Sequence, residues 1–171
     1  MKTILILIIS ALISGYAVAQ DFSRYENNPS VSSVVINKKM FKLMSKFDLD
    51  SDDKEIQSYM KLIENLEDIK VFKTNNPEMR KQLNADAEAY ANNNNLEELM
   101  RANEGGQSIR FMFEPGSTDD EIKQLFIHVN SIENKEETVV MIINGLIDLR
   151  QISKLASDLK VPGADSLKEK Q

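Results

Sequence analysis

Residues 119–130 read Asp119-Asp120-Glu121-Ile122-Lys123-Gln124-Leu125-Phe126-Ile127-His128-Val129-Asn130, and they fit two templates. As a helix, Thr118 and Glu121 form a capping box, and Ile122, Leu125, Phe126 and Val129 share one face. As a strand, Leu125, Ile127 and Val129 line one face, while Gln124, Phe126, His128 and Asn130 line the other. Periodicity by itself slightly favours the helix.

The flanks are clearer. Val139–Ile143 is a run of β-branched residues and Met, which suits a strand buried on both faces. Asp148 then caps a last helix, with Gln151 three residues on and Ile152, Leu155, Ala156 and Leu159 as its stripe. Pro162-Gly163 stops that helix, and 164–171 reads as a flexible tail. Upstream, Gly105-Gly106 marks a turn between Leu96–Ala102 and Ile109–Phe113, where Ile109, Phe111 and Phe113 alternate with Arg110 and Met112. Pro115-Gly116 ends the second segment.

The N-terminal half mixes helices and strands. Asn76 at the cap and Pro77 at the first helical position open a helix whose stripe is Met79, Leu83, Ala87 and Tyr90. Asn92–Asn95 ends it. Asp68–Thr74 alternates as a short strand, and Val31–Ile36 reads as an opening strand. Asp52 or Asp53 caps a helix carrying Ile56, Tyr59, Met60, Ile63 and Leu66. Lys38–Phe47 is a short helix with Met40, Leu43, Met44 and Phe47 on one face and Lys38, Lys42 and Lys46 on another.

Composition limits the chemistry. The 171 residues suit one domain with a proper core, here 31–163, and 28% charge with 42% hydrophobic residues is ordinary for a globular protein. The absence of Cys excludes disulfides, thiolate metal sites and a thiol nucleophile. A single His excludes a two-His metal site within one chain. A net charge of −6 makes nucleic acid a poor partner. Neither a cofactor loop nor a metal set is legible.

The first nineteen residues have the pattern of a secretory signal. Lys2 is the positive start, Ile4–Ile9 with Ala11, Leu12 and Ile13 the apolar run, and Ala17-Val18-Ala19 the cleavage site. Cleavage before Gln20 is expected, followed by a polar linker over 20–30. The chain is then exported to the periplasm or the extracellular space, with no Cys to carry a lipid anchor.

The run Gly145-Leu146-Ile147-Asp148-Leu149-Arg150-Gln151-Ile152-Ser153-Lys154-Leu155 resembles the C-terminal signature of a family of small exported bacterial proteins, domain of unknown function 4252. The Gly pair, the aromatic strand, the two apolar runs and the trailing Leu159-Lys160-Val161-Pro162-Gly163 are similar too, so the resemblance covers roughly 30–165. It implies that 119–130 is the first arm of a hairpin whose second arm is 138–143. It implies an α+β fold: a C-terminal antiparallel four-strand meander joined to an N-terminal β/α part, with amphipathic helices packed on one sheet face. Many relatives look like lipoproteins, from which this Cys-free chain departs. The resemblance carries no activity and no catalytic residues.

Each candidate site has a plain structural reading beside it. Asp48, Asp50 and Asp52 alternate like the start of a calcium loop, but Asp53 and Tyr59 stand where Gly and Glu are needed, so an acidic helix N-terminus is favoured. His128 is expected at a solvent edge. Glu97-Glu98 and Asp119-Asp120-Glu121 read as solvated charge, and Gly105-Gly106 as a hairpin turn rather than a phosphate cradle. Lys38, Lys39, Phe41, Lys42 and Lys46 form a candidate interaction patch. An ordinary helix packing its Met and Leu stripe into the core is favoured there, with Phe41 lying off that stripe.

These residues point to an exported, non-enzymatic module that binds an envelope protein. One alternative is a peripheral binder of anionic membrane through 38–47. A weaker one is a carboxylate-based hydrolase, which requires Glu97, Glu98, Glu121 or His128 to converge in a cleft.

Overall fold

A computed structural model describes residues 22–47, 63–131 and 137–149. The expected signal segment, the acidic run at 48–53 and most of the last expected helix and the expected tail lie outside these residues. In chain order the described elements are α1 (Ser23–Glu26), β1 (Ser32–Asn37), α2 (Lys38–Phe47), β2 (Leu66–Thr74), α3 (Pro77–Asn93), β3 (Glu97–Glu104), β4 (Gln107–Pro115), β5 (Glu121–Ser131) and β6 (Thr138–Asp148).

Helix and sheet are mixed, as expected, but the sheet is larger than a four-strand unit. Six antiparallel strands run in the order β1-β2-β6-β5-β4-β3. The last four strands are sequential neighbours, and β2 pairs with the far side of β6 to bring β1 in. Every described strand interior thus finds backbone partners, and among the described residues β1 and β3 are the edges.

Local chemistry explains the elements. Gly105 and Gly106 adopt φ of 59° and 82°, the left-handed pair that a two-residue hairpin requires. Asn76 accepts the N–H groups of Glu78 and Met79, each at 3.1 Å, and so caps α3. The chain leaves α3 through Asn95 at φ 51°. In β6, Gly145 at φ 141° lies so close to Asn65 and Leu66 that a Cβ would collide with their backbone. The Leu146 N–H donates to the Asn65 carbonyl there, at 3.1 Å.

Residues 121–131 are strand. The register shifts between Ile122 and Gln124, which puts Ile122 in the same cluster as Leu125 and Ile127. That shift explains the helical look: a three-residue spacing of apolar side chains also arises where a strand slips register.

The core has two layers. On one sheet face Leu83, Ala87 and Ala91 of α3 pack on Phe72, Met112, Phe126 and Val140. On the other, an apolar row crosses all six strands: Val34, Val71, Met141, Ile127, Phe111 and Met100. Phe41 of α2 belongs to that second cluster. The described helices therefore lie on both faces, not one. The reason is the sheet itself, whose two faces are both apolar and must both be covered.

Residues 22–30 are not a linker. Phe22 and Tyr25 are buried, and Phe22 lies against Phe72, Tyr90 and Phe126 with ring centroids 5.4–6.3 Å apart. The Tyr25 hydroxyl donates to Asp86 of α3 at 2.6 Å, and Arg24 pairs with the same carboxylate. Two aromatics are enough to tie down a segment whose remaining residues are polar.

Candidate functional site

The candidate patch at 38–47 lies on α2, which follows β1 without a loop. Asn37 ends the strand and accepts the N–H groups of Lys39 at 3.0 Å and Met40 at 3.4 Å. The strand thereby fixes the rotational setting of the helix. Phe41 turns inward and is 4% exposed, while Met40 and Leu43 stand 50% and 52% exposed. The expectation that the Met and Leu stripe packs into the core fails at these two residues, and the off-stripe Phe41 is the anchor. Lys38, Lys39, Lys42 and Lys46 are all exposed. Helical spacing of about 100° per residue places Lys38, Lys42 and Lys46 on one side of the Phe41 direction and Met40 and Leu43 on the other. The five patch residues are thus one buried anchor and four surface cations.

A second cluster joins α3 to β3, β4 and β5. Arg110 Nη1 donates to both oxygens of Glu88, at 3.0 and 2.7 Å, and its Nε donates to Glu98 at 3.1 Å. Arg101 donates to Glu98 through Nε and Nη2, at 3.2 and 2.6 Å. These bonds, that from Arg101 first, hold the Glu98 carboxyl below its ordinary range.

His128 lies beneath this cluster and is 1% exposed, not at a solvent edge. It shares its sheet face with Phe126, and α3 covers that face. Its Nε2 is 2.8 Å from Asn84 Oδ1, and the Asn84 amide donates to Asn130 at 2.8 Å. Asn84 Oδ1 is an acceptor, so the network assigns the ring proton to Nε2. Nδ1 is left with no hydrogen bond, 3.5 Å from Glu88. At that distance the pair is a charge contact open only to the protonated ring, not a hydrogen bond. Burial pushes the ring down to about 4, with Glu88 opposing and Arg110 reinforcing the shift.

Catalysis finds little to use here. Glu88 and Glu98 are ion-paired, and His128 is neutral with Nε2 engaged. Glu97 pairs across from Phe113 on the opposite face, and Glu121 lies seven residues along β5 from His128. Only Glu98 and His128 of the hydrolase set enter one network, and Arg110 and Glu88 separate them. Among the described residues no group of three acidic or His side chains could hold a metal. A cleft of about 400 Å³ opens elsewhere, between 29–32, 73–76 and Glu137. Lys73 and Glu137 pair across it.

Sequence reasoning missed Asn37, Asn84, Glu88, Arg101 and Arg110. Asn84 and Glu88 are spaced i, i+4 and so were legible as one face of a helix. Their sheet partners were not, because they depend on which strands α3 crosses.

No curated protein and no solved structure matches the chain. Residues 25–155 match the family described as Domain of unknown function (DUF4252), a span that begins at the buried Tyr25 and includes all six strands. The sheet, its Gly145 crossing and the helix that covers it are therefore the fold of a member of the DUF4252 family, to which this chain belongs.

Proposed function

We propose that the chain is an exported, non-enzymatic binding module that docks through α2 on an acidic surface of the cell envelope. The observation that carries this reading is the outward setting of Met40 and Leu43 beside four exposed lysines. A helix that only completed a core would bury that stripe. The N-terminal pattern Lys2, Ile4–Ile9 and Ala17-Val18-Ala19 supports export, and the lack of Cys supports a form without a lipid anchor. The ion-paired glutamates and the buried neutral His128 argue for a structural clasp rather than acid–base chemistry.

The test is sedimentation of the chain from Gln20 onward with native envelopes. Wild type should co-sediment, and Lys39→Glu with Lys46→Glu should lower that at least tenfold. Lys81→Glu, an exposed change on α3, should not. Equal binding by all three would end the reading. Recovery of an unprocessed chain from the cytoplasm would end the export half of it.

A further inference from the structure

From Asn27 to Phe47 the chain contains no acidic residue and four lysines. The rest of the chain holds all twenty-seven acidic residues against seventeen basic ones. One ten-residue helix with four lysines and no acidic residue thus stands in an otherwise acidic chain, just before Asp48, Asp50, Asp52 and Asp53 in sequence. Such asymmetry orients a molecule at a negatively charged boundary, cationic face first.

The character of the patch separates two kinds of boundary. Protein interfaces concentrate Arg, Tyr and Trp anchors around pockets and are depleted in Lys. α2 presents four Lys and no Arg, and among its described side chains the outward apolar ones are Met40 and Leu43, neither of them aromatic. The cleft at 29–32 and 73–76 has no lining residue from α2. Lysines are flexible point charges that need no fixed partner geometry, and their stems can lie along apolar surface while the ammonium stays in water. An outward apolar edge with flanking lysines is the arrangement of a helix lying in a headgroup layer.

We infer that α2 is a membrane-contacting element, with Met40 and Leu43 entering the acyl boundary of an anionic bilayer and Lys38, Lys39, Lys42 and Lys46 meeting its headgroups. This rests on the docking reading above and names its partner as anionic lipid. Phe41 is the pivot, because its burial holds the helix to the sheet with that edge turned out. Each lysine near such a surface contributes about fivefold to partitioning, and the attraction fades within a Debye length as salt rises.

The experiment uses the chain from Gln20 onward, which keeps every described residue and removes the apolar run that would itself bind lipid. Vesicles of phosphatidylcholine alone are compared with an equal mixture of phosphatidylcholine and phosphatidylglycerol, at low salt. Binding should occur only to the mixed vesicles and should be lost in molar salt. Lys39→Glu with Lys46→Glu should weaken it more than twentyfold. Met40→Ser with Leu43→Ser should weaken it at least fivefold with the melting temperature only slightly lowered, since both side chains already stand half in water. Three results overturn the inference: no binding to mixed vesicles at low salt, equal binding to both vesicle types, or insensitivity to the lysine reversals. Binding to native envelopes without binding to vesicles overturns the lipid assignment while leaving the docking reading in place.

Discussion

Helix α3 presses Leu83, Ala87 and Ala91 onto the sheet, and Tyr25 of α1 with Gln124 and Asn130 of β5 bond to it. Helix α2 reaches its sheet face through Phe41 and leaves Met40 and Leu43 in water. Both helices carry apolar residues at helical spacing, and both begin at an Asn cap. The difference is what precedes them. α3 enters through Asn75 and Asn76, which leave it room to roll its stripe inward, whereas α2 continues β1 directly and inherits its rotation. An apolar stripe thus marks a helix, and the connection before it decides whether the stripe faces inward.

Four measurements test the unequal anchoring of the two helices. Leu83→Ala should cost about 3 kcal/mol in urea unfolding, since Leu83 is fully buried at the centre of the α3 contact. A loss below about 1 kcal/mol would mean that α3 is no better anchored than α2.

Acid should loosen α3 selectively through His128. Above pH about 6.5 the ring is neutral folded and unfolded, and it costs nothing. Between there and about 4 the unfolded chain takes up the proton first, so stability falls as pH falls. Below about 4 both states are protonated and the loss levels near ~3 kcal/mol. His128→Gln should flatten that part of the stability–pH curve; an unchanged slope would put the acid sensitivity elsewhere.

Phe41→Ala should release α2 before anything else. Amide exchange should become fast over 38–47 while β5 and β6 stay protected, for a cost of about 2 kcal/mol in α2 docking. Uniform exposure across the sheet would show that α2 is integral to the core. The smallest effect belongs to Met40→Ser and Leu43→Ser, each within about 0.5 kcal/mol in thermal unfolding. A larger loss would place these side chains inside.

Much of the frame was legible. Asn76-Pro77, Gly105-Gly106 and the Asn92–Asn95 stop are local chemistry, and the structure uses each as read. Lys38–Phe47 is a helix over that same span. What failed depended on distant partners. Ile122 and Leu125 mimic a helix because of a register shift that only the neighbouring strands define. Phe22 and Tyr25 sit in a polar stretch, and their value comes from Phe72, Phe126 and Asp86. His128 is buried because α3 crosses above it, a fact of packing that no residue near His128 encodes. Of the patch, the lysines were readable, but the inward turn of Phe41 was not.

The pairing of β2 with β6 has a consequence in time. β2 ends at Thr74, and its partner begins at Thr138. During synthesis the paired strands β1 and β2 must therefore wait, one side unpaired, until β6 emerges. Closing a loop of that length makes the last ladder the slow and non-local step of folding. Until then the chain stays open, with the apolar sides of its strands uncovered and susceptible to the wrong neighbour. A late-closing sheet of this kind keeps a nascent protein unfolded for longest, and β6, which lies between β2 and β5, acts as the latch.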